Sequence, residues 1–424
     1  MYERSKRPRR FRINFAESAA VYRLPGRNNR IIIIGEDHDV TSSAVSPPRS
    51  IKLSCGSLEN SYTVSGFVNH VLNTHSVVDV FAEVPCVPTS FLEEVVRSRR
   101  RRVGGSQYAG SDRKIPAFVK RVLKRLLMWL TCITMPTFRH EGTDGAHIRC
   151  DLFERFGHPF DVVDSLRINN NGERIVHRFH AVDIRWDPHV LRILIMPVST
   201  HTNERLAFTW LASFLKSVPS VTSYVSLIQC FLTSRDFPGD IRVILGPEHS
   251  GCIIPGALSE HDRHPIAHQY WKLPVSTRNI LSKYIERRLS EIKRTLCEEV
   301  EYETLAQTFG NEDTCIASRS STDAAYEATL KEDIRRVRCA AMMSSLEIVI
   351  RMWVPVFLMD VYAACRSMRY TSSMQPSDDG VSVMVVGQVH AEHLDRFLRH
   401  EAGAVVEQHH RSPEPGVPIP LSFE

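Results

Sequence analysis

Ile31-Ile32-Ile33-Ile34-Gly35-Glu36-Asp37-His38 is the stretch that decides the fold of this 424-residue chain. Four consecutive β-branched residues without polar alternation are typical of a strand that is buried on both faces of a parallel sheet. The same succession occurs near the other end of the chain, where the apolar residues 383–386 precede Gly387-Gln388-Val389-His390. Each segment is therefore predicted to be a buried strand that ends in Gly-x-x-His and delivers a histidine to its carboxyl end.

Two more strands are predicted between these segments. Residues 77–82 are mostly apolar and lead into Glu83, and Pro85 then ends the pattern. Residues 177–185 are also strand-like and end in Asp183 and Arg185. Ligands of open α/β sheets bind outside the carboxyl ends of the strands. We therefore expect four side chains to meet at one edge of the sheet: His38, Glu83, Asp183 and His390.

The order of the predicted elements favours an α/β fold with a mostly parallel central sheet flanked by helices. Residues 61–74 have apolar side chains at helical spacing and would connect the first strand to the strand at 77–82. A large helical insertion precedes the last strand. The predicted divisions are a basic lead-in (1–28), the first part of the α/β core (29–185), the helical insertion (186–370), the last strand and helix of the core (371–411) and a disordered tail with four prolines (412–424).

The composition is that of a globular chain, because 43% of the residues are hydrophobic and 24% are charged. The net charge of +5 is modest for this length. Basic residues concentrate at 4–12 and 97–102, which we interpret as a solvated tail and a solvated loop. Nucleic acid is therefore not the expected partner.

The sequence also bears on the compartment. The basic N-terminus is not followed by the apolar segment of a secretory signal. The ten cysteines contain no Cys-x-x-Cys pair, which favours reduced thiols in an intracellular protein. The apolar stretch 126–135 is half as long as a membrane span, and Arg351, Pro355 and Asp360 interrupt the stretch 348–364. We therefore expect an intracellular protein without a membrane span, and the sequence indicates no oligomeric state.

The residues at the strand ends predict a metal site. Histidine nitrogens and carboxylate oxygens are common ligands of divalent metals such as Mn, Co or Zn. A metal held in this way makes its bound water a nucleophile near neutral pH. We predict that His38, Glu83, His390 and Asp183 are the ligands.

Three neighbouring residues are assigned further roles. Glu36 precedes His38 by two residues, so both would point to the same side of an extended segment and Glu36 could act as general base. Arg185 would stabilise an anionic intermediate. His393 follows His390 by three residues, shares its face if a helix has begun there, and is a candidate for contact with a substrate or cofactor.

Structural alternatives remain open for each of these residues. A single Gly-x-x-His is weak evidence, because its histidine can simply hydrogen-bond within a turn. Glu83 could cap a helix, and Asp183 and Arg185 could form an ion pair. The pattern also occurs a third time, at Gly246-Pro247-Glu248-His249, after a segment whose Arg242 is unusual for a buried strand. This third histidine belongs either to the site or to a loop of the helical insertion.

The three predicted strand ends together resemble the TraB/Tiki superfamily, which includes erythromycin-esterase-like and ChaN-like haem-binding proteins. Gly35-Glu36-Asp37-His38 is similar to the Gly-Glu-x-His opening of the esterase-like and ChaN-like branches. Residues 180–185, 359–362 and 387–398 resemble uncharacterised proteins of large DNA viruses. The helical middle of the chain has no counterpart in this resemblance.

The resemblance implies an α/β fold with an inserted helical region and a crevice that contains His38, Glu83 and His390. Similarity to Tiki-type members implies metal-dependent peptide hydrolysis. Similarity to esterase-like members implies hydrolysis in which Glu83 and His38 are central. ChaN-like members imply haem binding without catalysis. Tiki-type proteins are membrane-anchored, and this chain departs from them because its sequence contains no evident anchor.

The expected function is therefore a metal-dependent hydrolase that cleaves a peptide or ester bond in a peptide or small-molecule substrate. The expected compartment is the interior of the cell, which would be the host cytoplasm or the virion if the chain is viral. Two alternatives belong to other classes of function. One is a non-catalytic protein that binds haem or another ligand in the same crevice, and the other is an inactive viral structural protein of the same fold.

Overall fold

The computed structural model describes residues 9–14, 16–36, 61–85, 163–168, 174–184, 214–246, 265–310, 323–373, 380–413 and 417–423. The chain divides into two compact units, of which the first comprises residues 1–186 and 366–424 and the second residues 187–365. For comparison, the sequence predicts a helical insertion at 186–370.

The first unit is built around a mixed sheet of seven strands. Its strands are β2 (Ser18–Arg23), β3 (Arg30–Glu36), β5 (Val77–Pro85), β6 (Val163–Ile168), β7 (Arg174–Asp183), β8 (Val381–Gly387) and β9 (Val405–Arg411). They lie in the order β6-β7-β5-β8-β3-β2-β9. The four central strands, β7, β5, β8 and β3, run parallel to one another, and the outer pairings are antiparallel. The predicted α/β fold is confirmed.

Strand β8 lies between β3 and β5 and aligns their carboxyl ends. Gly35 pairs with Val386, and Ala82 pairs with Val385, so the three strands end at the same edge of the sheet. All seven residues of β8 are buried, and they include the apolar run 383–386 that predicts a strand buried on both faces. The prediction that these strands are parallel and end together is confirmed.

One face of the sheet is covered by helix α1 (Val64–Thr74) and a small three-stranded sheet. The small sheet has the order β10-β1-β4 and comprises β1 (Arg9–Asn14), β4 (Ser61–Thr63) and β10 (Ile419–Phe423). The buried core on this face includes alternate residues of the central strands: Ile32, Ile34, Val78, Val80, Val383 and Val385. The first crossover, β3 to α1 to β5, therefore forms as predicted.

The helix that follows β8 packs on the opposite face of the sheet, against β3, β8 and β2. This helix, α9, spans Gln388–Arg396 and continues as a π-helical turn at Phe397–Glu401. Gly35 permits its close approach, because a Cβ atom at that position would lie 2.3 Å from Gln388 Oε1 and 2.6 Å from Ser18 Oγ. The glycine of the first Gly-x-x-His motif is thus required by helix packing.

Two predictions about the ends of the chain are wrong for the residues that the structure describes. The segment 1–28, predicted as a weakly structured lead-in, contains β1 and β2, and the segment 412–424, predicted to be disordered, contains β10. The physical reason is mutual pairing, since β1 and β10 form an antiparallel ladder in which Ile13 and Leu421 are fully buried. Proline 420 is tolerated because it lies in an edge strand.

The second unit is helical throughout its described elements, in agreement with the predicted helical character of this region. Its helices are α2 (Val221–Thr233), α3 (Phe237–Leu245), α4 (Pro265–Trp271), α5 (Val275–Glu299), α6 (Tyr302–Gly310) and α7 (Asp323–Ile348). A π-helical turn at Val349–Trp353 joins α7 to α8 (Val354–Ser373), which extends into the first unit. None of the helices in the described ranges is long and apolar enough to cross a membrane.

The third Gly-x-x-His does not follow a strand. Residues 241–245 belong to helix α3, which begins after Asp236 because the side chain of this residue accepts a hydrogen bond from the Gly239 N–H. Gly246 then ends the helix with φ of 79°, a left-handed conformation that glycine adopts without strain. The segment before this motif is therefore a helix and not a buried strand. His249 lies outside the described residues, so whether it belongs to the site is not decided.

Candidate functional site

Glu83 lies at the end of β5 and is directed to the start of helix α9. Its side chain is only 3% exposed, and its Oε2 atom accepts a hydrogen bond of 2.7 Å from the backbone N–H of Gly387. Gly387 is the N-cap residue of α9 and has no side chain with which to cap the helix. The carboxylate therefore occupies the N-terminal end of the helix dipole, a position that typically stabilises a negative charge by about 0.3–1 kcal/mol.

His390 is the third residue of α9 and reaches the same carboxylate. Its Nε2 atom lies 3.8 Å from Glu83 Oε1, and its side chain is 5% exposed. This distance exceeds that of a direct hydrogen bond. Two ligand atoms that each lie about 2.1 Å from one tetrahedral metal are roughly 3.4 Å apart, so the pair is close to the spacing of shared metal ligands.

The rest of the predicted metal site is only partly accounted for. His38 and Arg185 lie outside the described residues. Within the described ranges, no three His, Cys, Asp or Glu side chains are close enough to one another to hold a metal ion. Asp183, although buried at the end of β7, thus does not complete a set of three ligands with Glu83 and His390. His38 therefore stays a prediction as the third metal ligand beside Glu83 and His390.

Glu36 is the last residue of β3 and does not share the face of Glu83. Alternate residues of a strand point to opposite faces, and Ile32 and Ile34 belong to the face covered by α1. Glu36 continues this alternation, whereas Gly35 faces α9. This alternation directs Glu36 away from α9, and its role as general base stays a prediction.

His393 lies on α9 one turn after His390 and is half-buried. Residues three apart on a helix are neighbours on its surface, so the predicted shared face exists. Its role in contact with a substrate or cofactor stays a prediction.

A small cavity of about 60 Å³ lies between α9 and strands β2, β3 and β9. Its lining includes Ser18, Tyr22, Gln388, Glu392, Asp395, His409 and Arg411. Ser18 donates a hydrogen bond of 2.6 Å to Gln388 Oε1, and the Tyr22 hydroxyl donates to Asp395. Burial, reinforced by the Asp395 carboxylate, raises the pKa of Tyr22. This hydroxyl therefore stays protonated and acts as a donor.

A buried charge network joins β5 to β7 on the face that also includes Phe81. Asp79 Oδ1 accepts hydrogen bonds from Arg178 Nε at 2.6 Å and from His180 Nε2 at 2.9 Å, and Asp79 Oδ2 accepts one from Arg178 Nη2 at 2.7 Å. Asp79 and His180 are fully buried, and the Phe81 ring stacks on the imidazole with centroids 4.2 Å apart. The network fixes the pairing of β5 with β7 four residues before Glu83.

The network also determines two protonation states. Burial alone would raise the pKa of Asp79, but the hydrogen bonds and charges of His180 and Arg178 hold it below its ordinary value. Burial lowers the pKa of His180 to about 4, against the opposing effect of Asp79. His180 is therefore neutral at pH 7 and donates from Nε2.

Sequence reasoning missed the groups that position the Glu83–His390 pair. The Gly387 N–H is a backbone donor without a sequence signature, and Gln388 is one of the variable positions of the motif. Their partners, Glu83 and Ser18, are 304 and 370 residues away in sequence. Only the paired strands bring them together.

Family models, curated proteins and solved structures were all compared with the chain, and none of them matches it.

Proposed function

We propose that the chain is a metal-dependent hydrolase of the TraB/Tiki/erythromycin-esterase-like type, which cleaves a peptide or ester bond. The observation that supports this proposal is the buried pair of Glu83 and His390 at the carboxyl edge of the parallel strands, with 3.8 Å between Glu83 Oε1 and His390 Nε2. Open α/β sheets bind ligands at this edge. The pair also has the ligand types and the approximate spacing that a divalent metal requires.

In the proposed site, Glu83 and His390 hold Mn, Co or Zn together with His38. When bound, the metal supplies a water whose pKa is near 7 and which is nucleophilic at neutral pH. The Gly387 N–H fixes Glu83 Oε2, so Oε1 is the oxygen directed to His390. This fixation orients the carboxylate before any ligand arrives.

Burial strengthens the proposed chemistry. Glu83 and His390 are almost inaccessible to solvent, and charges interact more strongly where water is excluded. In the same proposal, Arg185 stabilises the anionic intermediate and His393 contacts the substrate.

The proposed substrates are peptides or small-molecule esters, and the proposed compartment is the reducing interior of a cell. Free thiols at Cys230, Cys297, Cys339 and Cys365 are compatible with that compartment.

The test combines metal analysis with a substrate screen on the purified full chain. Metal content is measured after loading with Mn, Co or Zn, and hydrolysis is measured with panels of esters and peptides. We expect one metal per chain, hydrolysis that depends on it, and loss of both in His390→Ala. His400→Ala is the matched control, because His400 is exposed at the end of the same helical segment.

A haem titration separates the enzyme from the ligand-binding alternative. A Soret band that is lost in His390→Ala, together with no hydrolysis with any of the three metals, would favour a haem-binding function over the proposed hydrolase. Absence of hydrolysis, metal and haem binding would favour the structural alternative.

A further inference from the structure

In the second unit, the guanidinium groups of two arginines lie over a single indole ring. The guanidinium carbon of Arg235 lies 3.8 Å from the centroid of the Trp271 ring, and that of Arg278 lies 4.5 Å from it. The two charges are therefore at most about 8 Å apart, which is the sum of these ring distances. The Trp271 Nε1–H donates to the Thr233 carbonyl at 2.8 Å and so fixes the ring that holds both arginines.

Within the described ranges, neither arginine has a carboxylate at ion-pair distance. Two other arginines of α5 do form ion pairs: Arg287 and Arg288 both pair with Glu291, at 3.1 Å and 2.7 Å. The first turn of α5, where Arg278 lies, contains no acidic residue.

The acidic residues next to Arg235 in sequence have other partners. Asp236 accepts a hydrogen bond from the Gly239 N–H, and Asp240 accepts one from Ser234 Oγ. Two guanidiniums held this close can both donate hydrogen bonds to one anion. Arg235 is exposed and Arg278 is half-exposed, so an anion in solution can reach both.

The kind of anion follows from the geometry of the groups. A guanidinium that lies over an aromatic ring still presents N–H donors in a planar fork, and these match phosphate oxygens in bidentate fashion. Since the guanidiniums cover the Trp271 ring, the indole does not offer a free platform for a nucleobase. We propose that Arg235 and Arg278 form a binding site for a polyphosphate chain, recognised through its phosphates alone.

Calorimetric titration of the full chain with tripolyphosphate tests this site. A metal chelator is included so that a metal ion elsewhere cannot bind the probe. Charged hydrogen bonds of this kind correspond to about a 10- to 100-fold change in affinity, so Arg235→Ala/Arg278→Ala should bind tripolyphosphate at least tenfold more weakly than the parent. The matched control is Lys293→Ala/Arg294→Ala, which removes two exposed charges from the same helix and should bind as the parent does.

A lysine double variant and a titration with ATP test whether binding depends on the guanidinium geometry and on the phosphates alone. Arg235→Lys/Arg278→Lys keeps the charge but loses the bidentate geometry, so it should also bind more weakly, and its far-ultraviolet circular dichroism should equal that of the parent. ATP should bind with the same affinity as tripolyphosphate.

Parental affinity in the double alanine variant, or an equal loss in the Lys293/Arg294 control, would overturn the proposal. So would tighter binding of a single-stranded oligonucleotide than of tripolyphosphate, or ATP binding much tighter than that of tripolyphosphate.

Discussion

The backbone N–H of Gly387 lies 2.7 Å from Glu83 Oε2, although 304 residues separate the two in sequence. This one contact attaches the end of β5 to the start of α9 and determines which carboxylate oxygen is directed to His390. The carboxylate is therefore both a cap for the helix and the centre of the proposed site.

These two roles of Glu83 can be separated by substitution. Glu83→Gln keeps an oxygen that can accept from Gly387 but loses the negative charge that would bind the metal, so the fold should persist while metal content and hydrolysis are largely lost. Glu83→Ala also removes the acceptor of a buried N–H and should lower the free energy of unfolding by about 1–3 kcal/mol. Chemical denaturation and initial rates measure the two effects. Full activity in Glu83→Gln would rule out the proposed role.

Glu36→Gln tests which face of the sheet contains the chemistry. Glu36 ends β3 on the face covered by α1, so this substitution should reduce hydrolysis much less than Glu83→Gln does. The comparison uses the rates of the two variants under the metal that best supports the parent. An equal or larger loss in Glu36→Gln would support the predicted role of this residue as general base.

Gly35→Ala should destabilise the first unit through its contact with α9. The added Cβ would lie 2.3 Å from Gln388 Oε1 and 2.6 Å from Ser18 Oγ, and we expect a loss of about 1–3 kcal/mol in the free energy of unfolding. Because the closest atoms are side-chain ends, Gly35→Ala/Gln388→Ala should recover part of this loss. Thermal melts of the single and double variants provide the measurement, and no recovery would indicate backbone strain instead.

His180 should make stability depend on pH. Its pKa is about 4 in the folded chain and about 6.5 when unfolded, so between these values the unfolded state binds more protons. Stability should therefore fall as the pH decreases from 6.5 to 4, by a contribution of the order of 3 kcal/mol. The groups that face the imidazole are Asp79, Phe81, Arg178, Arg366 and Tyr370.

The matching experiment compares denaturant midpoints at pH 7 and pH 5 in the parent and in His180→Gln. The variant should show a smaller decrease than the parent, whereas His400→Gln, at an exposed position, should show the parental decrease. Equal decreases in all three proteins would assign the pH dependence to other groups.

Leu421→Ala tests whether β10 belongs to the fold. Leu421 is fully buried in the small sheet, and truncation of a buried leucine typically costs about 2–5 kcal/mol. Pro420→Ala, one residue away and exposed, should leave the midpoint of denaturation nearly unchanged. A disordered tail would show no difference between the two variants.

The sequence was sufficient for the central strands because their patterns are local. Residues 31–34 and 383–386 are apolar without interruption, so both strands could be assigned as buried and parallel before any pairing was known. The pairing of Glu83 with His390 followed from the rule that such strands end at one edge. It required no knowledge of the loops.

Other features depended on pairing between distant segments. Strand β1 is regular because it pairs with β10, more than 400 residues later, and neither segment has a strong pattern of its own. The face of Glu36 could not be assigned, because a shift of one residue in a strand reverses every side chain. Gln388 and Ser18 meet only because α9 lies against β3 and β2.

The position of β8 between β3 and β5 also determines the order in which the molecule can assemble during synthesis. The two earlier strands lie about 10 Å apart, twice the distance between neighbouring strands, and they have no direct pairing until residues 381–387 enter between them. A nascent chain on the ribosome must therefore hold an incomplete sheet while the whole helical second unit is translated. Contacts of such long sequence separation form slowly. Until then, the unpaired edges of β3 and β5 are places where the incomplete sheet can pair with another chain.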